Sequence, residues 1–324
     1  MTSKTSIIPR VDSSMTEAPS DDESSYCGLH RTAADALLSQ LTQQEIELAA
    51  RAASYEYLCQ QQQQEQEQPT AASEQQQQQQ QQQRVHAQTF VQRFLNSTSN
   101  PDKALERVKA TLAFRQASQV DDLRTAFDND AYINDSNNKT KLALEEHLAS
   151  KSLYVQGYDK QGRATYYFVT RNVQQHDQEW TLKAHVYTLE RALACSRSGA
   201  VNAVIDFNGF SLAAHAPPMA IGKQFMQVFR EHYAGAIHQI YLVDAPLAFY
   251  ALWNVLKHFV GTKTRSKIHF VSAEQAQQRL GDLYEANQLP TWLGGTNDRE
   301  FDLDEYLYHT PFDAAFGDAL LERE

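Results

Sequence analysis

Serine, aspartate and histidine residues that could form a hydrolytic triad occur in the order Ser211, Asp244 and His269. The segment Gly209-Phe210-Ser211-Leu212-Ala213 follows an apolar run and approaches the Gly-x-Ser-x-Gly turn of α/β-hydrolases, in which the serine is the nucleophile. The second glycine of that motif is missing, and His269 falls inside a predicted strand rather than on a loop. The pattern therefore favours Ser211 as a residue that starts or caps a loop, and we predict no catalytic residues.

Two further patterns that could bind phosphate or metal are incomplete. Gly261-Thr-Lys-Thr-Arg-Ser-Lys267 has the length of a phosphate-binding P-loop, but Ser266 stands where that motif requires its second glycine. His232 and His238 lie six residues apart across a predicted loop, and the histidines form no metal pattern on a helix. The sequence therefore predicts no metal and no cofactor, and it favours a binding function over enzymatic catalysis.

Composition and charge limit the classes of partner. The chain of 324 residues has 42% hydrophobic residues, enough for a substantial core, and a formal net charge of -11. Proteins that hold nucleic acid through its phosphates need clustered Lys and Arg, so we expect no nucleic-acid partner. Cys27, Cys59 and Cys195 lie far apart, which favours a reducing compartment, and no apolar run reaches the roughly 20 residues of a membrane span. We expect a cytoplasmic protein whose membrane contact is transient and peripheral.

The first 143 residues divide into segments of different composition. Residues 1–28 are acidic and Ser-rich, with few large apolar side chains to offset the entropy of ordering, and predict a disordered tail. Helical spacing of apolar residues predicts a helical region over 29–128, interrupted by a Gln-rich tract at 60–83 that forms solvated helix or coil. The tract is either a tolerated surface expansion or a polyglutamine segment that binds a protein partner. The Asn-rich residues 129–143 predict a linker.

A larger α/β domain is predicted over 144–300, followed by a C-terminal extension at 301–324. Two β-rich runs flank a turn that contains two glycines and predict a hairpin, and an apolar run bounded by glycines is typical of a parallel strand buried on both faces. The predicted strands are Leu153–Gln156, Thr165–Val169, Val201–Phe207, Gln239–Val243 and Ile268–Val271, with helices at 178–196, 219–233 and 247–260. Strands that alternate with helices predict a mostly parallel sheet with right-handed crossovers.

The predicted helix over 247–260 is apolar on almost every side. Only Asn254, Lys257 and His258 form a polar stripe, and it is narrow. Such a helix is either buried in a core, or it covers an apolar cavity or meets a membrane surface, where Phe, Tyr, Trp and Lys are favoured together. It is too short to span a bilayer.

Several segments, in order along the chain, resemble the CRAL-TRIO family of Sec14-like lipid-binding and lipid-transfer proteins. The likeness runs from about residue 85 to about residue 300, and the combination is specific although each segment alone is weak. The strongest matches are Ile240-Tyr-Leu-Val-Asp-Ala-Pro246, Ser266-Lys-Ile268 and Leu289-Pro-Thr-Trp-Leu-Gly-Gly295. The others are Phe90-Val-Gln-Arg-Phe-Leu, Lys103-Ala-Leu-Glu-Arg-Val, Ala110-Thr-Leu-Ala-Phe-Arg, Tyr158-Asp-Lys-Gln-Gly-Arg163 and Val204-Ile-Asp-Phe-Asn-Gly209.

The resemblance implies a fold in which a mostly parallel sheet floors an apolar pocket, preceded by a small helical N-terminal region. It also implies that the helix over 247–260 is a movable gate, which covers the pocket when closed and contacts membrane when open. The pocket residues would be Tyr166, Phe168, Val201, Ala203, Ile205, Met226 and Phe229. The gate would contribute Phe249, Leu252, Trp253, Leu256 and Phe259.

The family's polar headgroup site is only partly present. Lys267 falls where the family places a lysine that contacts a phosphoinositol headgroup, but Gly235 replaces its acidic partner and Asn96-Ser-Thr-Ser99 replaces a basic pair. Val201 and Ala203 align with hydroxyls that contact choline in some members. The resemblance thus implies a carrier that exchanges a phospholipid such as phosphatidylinositol, or a neutral lipid, with membranes. The alternative is a protein-interaction scaffold without bound lipid.

Overall fold

The computed structural model describes residues 33–64, 73–98, 100–128, 135–174, 177–215 and 219–317. The predicted disordered tail, the middle of the Gln-rich tract and the last seven residues lie outside these ranges.

The N-terminal helices form a layer with its own core. They are α1 (33–38), α2 (Gln43–Ala53), α3 (Tyr55–Gln64), α4 (Ser73–Ser97), α5 (Pro101–Ala117) and α6 (Val120–Arg124). Thr42 and Glu45 form a capping box that begins α2, while Asn100 caps α5. The core packs α2 against α4 and α5 through Ala49, Val91 and similar fully buried side chains. The described part of the Gln-rich tract is therefore helical.

The predicted linker over 129–143 is wrong in its C-terminal part. Helix α7 spans Asp135–Leu148, so residues 135–143 are helical. Leu144 and Leu148 are completely buried in the core of the main domain, and α7 packs against the next long helix. The helix is stabilised by this tertiary packing, whereas its Asn-rich beginning has the composition of a loop.

A five-stranded sheet forms the centre of the main domain. The strands are β1 (Leu153–Tyr158), β2 (Ala164–Val169), β3 (Val201–Asp206), β4 (Ile237–Val243) and β5 (Ile268–Val271), in the spatial order β1-β2-β3-β4-β5. β1 and β2 form the predicted antiparallel hairpin, and β2 to β5 are parallel. The predicted fold class, an α/β domain with a mostly parallel sheet, is confirmed.

Helices and a C-terminal segment surround the sheet. The helices are α8 (Gln178–Cys195), α9 (Leu212–His215), α10 (Met219–His232), α11 (Leu247–Leu256), α12 (Thr262–Arg265) and α13 (Ala273–Leu283). The helix predicted over 247–260 is α-helical only to Leu256 and continues as a 3-10 turn over Lys257–Phe259. Residues 301–317, predicted as an extension, pack against β1: Tyr306 and Phe316 are fully buried, and the Phe316 amide donates to the Val155 carbonyl.

Candidate functional site

The register of the sheet places most of the predicted pocket residues on one face, which we call the front face. Tyr166, Ala203, Ile240 and Ile268 are lateral neighbours across four strands, and Phe168, Ile205, Leu242 and Phe270 form the next such row. Val201 lies two residues before Ala203 on the same strand and shares its face. The alternation of side chains along β2 and β3 therefore brings five predicted pocket residues together.

The front face is less completely covered than the opposite face. Phe168, Ile205, Ile240, Ile268 and Phe270 remain only partly buried. On the opposite face, Tyr167 and Val204 are completely buried and Val243 is 1% exposed. Tyr167 stacks on Tyr154 and meets Trp292 there. Apolar side chains in the middle of a sheet are normally buried on both faces of an α/β domain, so the helices on the front face leave apolar surface uncovered.

Helix α11 lies over the front face through one aromatic edge. Phe249, Tyr250 and Trp253 all contact Phe270, and the Tyr250 and Phe270 rings are stacked with centroids 4.6 Å apart. Leu256 is buried and Leu252 is partly buried, whereas the Phe259 side chain lies outside the described residues. The other side of α11 is apolar and exposed, with Leu247 88% exposed and Val255 48% exposed.

Helix α10 supplies the remaining predicted pocket residues, Met226 and Phe229, which are partly buried. Phe225 is more buried than either, stacks with Phe229 and packs against the ring of His185 on α8. Phe225 and His185 were missed by the sequence analysis. Both could have been found from helical spacing, because Phe225 is four residues before Phe229 and His185 is three residues after Leu182 and four before Leu189.

His185 and Tyr166 form a polar pair at the front face. The Tyr166 hydroxyl and His185 Nδ1 share a hydrogen bond of 2.6 Å, and the edges of Phe168 and Phe225 enclose the imidazole. Burial lowers the pKa of His185 to about 3 and raises the pKa of Tyr166 well above its usual value. Both groups are therefore neutral at physiological pH.

Lys267 immediately precedes β5 and follows α12, which contains Lys263 and Arg265. Its Nζ donates a hydrogen bond of 2.6 Å to the Ile237 carbonyl at the start of β4, and burial lowers the pKa of the ammonium. Gly235, which stands where the family has an acidic residue, adopts φ +74° in the turn before β4. Lys267 therefore holds two strand ends together and has no carboxylate at the position of Gly235.

The candidate hydrolase residues have other partners. The Asp244 carboxylate accepts a hydrogen bond from the Ala273 amide at the start of α13. His269 Nε2 bonds to the Gln239 side chain at 2.7 Å, and Ser211 hydrogen-bonds through its backbone amide to His215. These contacts do not assemble a triad. Within the described ranges, no group of three His, Cys, Asp or Glu side chains is placed to hold a metal ion, and no helix has the length and apolar character needed to cross a bilayer.

A buried ionic network fixes the helical layer to the main domain. Glu190 on α8 accepts hydrogen bonds from Arg115 on α5 and from the Tyr233 hydroxyl, and it lies 3.4 Å from Arg124 on α6. Burial alone would raise the pKa of Glu190, but Arg115 and Arg124 outweigh it and hold the pKa below its usual value. Arg115 also pairs with Asp121 at 3.0 Å. The network joins three helices, α5, α6 and α8, and the residue that follows α10 around one carboxylate.

Two surface recesses lie away from the front face residues. One, between α5, α8 and α10, is bordered by Phe114, Val186 and His232, and the other by Arg191, Tyr187 and the segment 307–312. None of the predicted pocket residues borders either recess.

The structure thus shows a sheet with one antiparallel hairpin, and an aromatic-rich helix covers one face of that sheet incompletely. Residues 148–295 match the CRAL/TRIO domain model. The chain therefore contains a CRAL/TRIO domain, and the membership in the CRAL-TRIO (Sec14-like) family predicted from its motifs is confirmed for that segment.

Curated relatives share this segment at moderate identity. A phosphatidylinositol/phosphatidylcholine transfer protein, SFH4 of Arabidopsis thaliana, is 28% identical over 165 residues, which are 44% of this chain and 27% of that protein. The phosphatidylinositol transfer protein CSR1 of Eremothecium gossypii is 28% identical over 50% of this chain and 37% of its own length. The SEC14 cytosolic factor of Yarrowia lipolytica is 28% identical over 44% of this chain and 33% of its own length. The chain thus spans about a third of the length of these relatives.

Among solved structures, Sfh5 covers 69% of this chain and 78% of its own length, with a TM-score of 0.47 and 13% sequence identity. A similarity this low carries no weight for the function.

Proposed function

We propose that the front face and the helices over it bind one hydrophobic ligand, a phospholipid such as phosphatidylinositol or a neutral lipid, and exchange it with membranes. The observation that carries this proposal is the incomplete burial of Phe168, Ile205, Ile240 and Phe270 in the middle of a sheet that helices already cover. Sequestering an acyl chain there would contribute on the order of 10 kcal/mol, at about 0.8 kcal/mol per methylene. The names of the curated relatives support lipid transfer.

Helix α11 is the proposed gate. In the structure it touches the sheet through aromatic rings around Phe270, among them the partly exposed Tyr250, and its outer side exposes Leu247 and Val255. Exposed Lys263 and Arg265 follow it in the chain. An apolar surface beside basic residues suits the interface of an anionic membrane. We infer a peripheral and transient membrane contact during which α11 moves away and the lipid enters.

Lys267 is the proposed headgroup contact. One of the three donors of its ammonium is used by the Ile237 carbonyl, which leaves two for a phosphate or inositol oxygen. His238 adds an imidazole nearby, although burial, and after it the charge of Arg163, lowers its pKa and favours the neutral ring at physiological pH. The chain would act in the cytoplasm as a non-catalytic carrier, which suits Cys59 and Cys195, since no disulfide joins them.

A protein partner at the Gln-rich tract is a second proposal. On α4 the side chains of Gln77, Gln78, Gln80, Gln81 and Gln82 are exposed, while Gln83 is buried and accepts a hydrogen bond from Gln43. The helix is therefore anchored on one side and presents amides on the other. A scaffold that works through this surface would need no lipid, and the experiment below separates the two functions.

The experiment is transfer of fluorescent phospholipid and fluorescent sterol between vesicles, with a variant that fills the front face. Ile205→Trp places an indole where Ile205 is only partly buried, and we expect it to reduce transfer at least tenfold at an unchanged melting temperature. Leu142→Trp, at an exposed position of α7, is the matched control and should transfer like the wild type. Equal transfer by Ile205→Trp and wild type would show that the ligand does not lie on the front face. No transfer by the wild type would overturn the carrier function in favour of the scaffold.

A further inference from the structure

The polar pair of Tyr166 and His185 has no counterpart in the rest of the front face. The other side chains of that face are apolar, including Phe168, Ala203 and Ile205. A hydroxyl and an imidazole in such surroundings lose their hydration, and one shared hydrogen bond satisfies only part of what they can form.

The shared hydrogen bond determines which imidazole nitrogen carries the proton. The Tyr166 hydroxyl stays protonated because burial raises its pKa, and a phenol is a good donor. If it donates to Nδ1, the neutral ring carries its own proton on Nε2. Nε2 forms no hydrogen bond with a described residue, and it is not one of the fully buried polar atoms that lack a partner, so it keeps accessible surface. A donor is thus left over.

The position of His185 indicates which group could accept a hydrogen bond from Nε2. The rings of Phe168 and Phe225 pack against its imidazole at centroid distances of 5.0 Å and 4.5 Å, yet the residue keeps accessible surface. Deep placement together with accessible surface is what a side chain that borders an internal space would have. The neighbour of Tyr166 on β3 is Ala203, whose small side chain fills little of that space. An oxygen brought in by a ligand could reach this donor.

We propose that Tyr166 and His185 form a polar anchor inside the ligand site, which accepts a lipid whose inner end carries a hydroxyl or carbonyl oxygen. This rests on the proposed function and selects within it: a neutral lipid alcohol or ketone that enters oxygen first is favoured over a plain hydrocarbon. Tyr166 positions the imidazole, and His185 Nε2 donates to the ligand oxygen. A hydrocarbon at the same place would leave the donor without a partner.

The test uses two pairs of ligands that differ only in oxygen: octadecan-1-ol against octadecane, and cholesterol against 5α-cholestane, each supplied on phosphatidylcholine vesicles. We expect the wild type to prefer the oxygenated member of at least one pair by about tenfold, the worth of one hydrogen bond to a buried donor. The pair that shows the preference identifies a linear or a polycyclic skeleton.

The variants separate ligand recognition from packing. His185→Phe should bind the hydrocarbon at least as well as the wild type and lose the preference, while His185→Gln, which keeps an N–H donor, should restore part of it. Tyr166→Phe should weaken the preference without abolishing hydrocarbon binding. A thermal melt of each variant verifies folding, and the preference is a ratio that a shared loss of folded protein does not change.

Two outcomes would overturn the anchor, and they are distinguishable from failure of the carrier function. If the wild type binds both members of each pair equally, or if His185→Phe keeps the preference, the anchor is wrong while lipid binding stands. If no member of either pair binds, and phosphatidylcholine is not bound either, both the anchor and the proposed function are wrong.

Discussion

Individual buried polar side chains give this domain its most specific chemistry. Glu190 is buried, His185 and Lys267 are partly buried, and each has a defined hydrogen-bond partner. Their substitution therefore changes more than volume, because the partner left behind is a buried donor or acceptor.

The low pKa of His185 predicts a specific dependence of stability on pH. The native pKa of about 3 lies below the unfolded value near 6.5, so between these values the unfolded chain binds a proton that the native protein does not. Stability conferred at neutral pH is therefore lost as the pH falls from about 6.5, by up to about 1.4 kcal/mol per pH unit. The measurement is urea unfolding of wild type and His185→Phe between pH 7 and pH 4.

We expect the difference in unfolding free energy between the two proteins to shift steadily in favour of His185→Phe as the pH falls. His309→Phe, which removes an exposed imidazole, is the matched control. A difference that is constant over the whole pH range would show that His185 titrates normally in the folded protein.

The proposed headgroup contact of Lys267 predicts that this residue contributes to the selectivity between phospholipid headgroups. Lys267→Met keeps most of the aliphatic stem and removes the ammonium, so we expect the ratio of phosphatidylinositol to phosphatidylcholine uptake to fall about tenfold. Stability should also fall, by about 1 kcal/mol, because the Ile237 carbonyl loses its donor. Uptake from mixed vesicles by the variant is compared with that by Lys263→Met, an exposed lysine of the same turn. An unchanged ratio in Lys267→Met would remove its headgroup role.

At the scale of elements, Phe270 connects the proposed gate to the sheet. Three aromatic residues of α11 contact its ring. Phe270→Ala should release α11 and cost about 2 kcal/mol, less than for a fully buried phenylalanine because the ring is only partly buried. Hydrogen exchange of the α11 amides reports the release directly.

The matched control for Phe270→Ala is Phe114→Ala, which removes a ring stacked on His232 in α10 at a centroid distance of 4.1 Å. It should lower stability without accelerating exchange in α11. If α11 exchanges at the same rate in wild type and Phe270→Ala, the helix is held by other contacts and Phe270 does not control a gate.

The elements that could be predicted from the sequence are those whose apolar pattern matches their final burial. Strand β5 has the bounds that the sequence predicts. The family resemblance gave Tyr166, Phe168, Ala203 and Ile205 as pocket residues, and the structure places them on one face because side chains alternate along β2 and β3. Helix α7 could not be predicted because its first half is polar and its stability comes from two leucines packed against α8. His185 lies three residues after Leu182 and four before Leu189, on the apolar face of α8, but it was missed because a search for apolar periodicity counts only apolar residue types.

At the scale of the molecule, one carboxylate joins the helical layer to the sheet domain. Glu190→Gln would leave the buried Arg115 and Arg124 with Asp121 as their remaining shared carboxylate, and we expect it to cost about 3 kcal/mol. Equilibrium urea unfolding measures this loss, with Glu179→Gln, an exposed residue of the same helix, as control. A loss below about 1 kcal/mol would show that the two parts are held by their apolar contacts alone.

The most direct test of the carrier function is the lipid content of the protein itself. The full chain, purified from a eukaryotic host, is weighed by native mass spectrometry and extracted with organic solvent for lipid analysis, alongside Ile205→Trp. We predict one enriched lipid near one molecule per chain in the wild type, and its loss from the variant. A wild-type protein that carries no lipid, even after incubation with mixed liposomes, would contradict the proposed function.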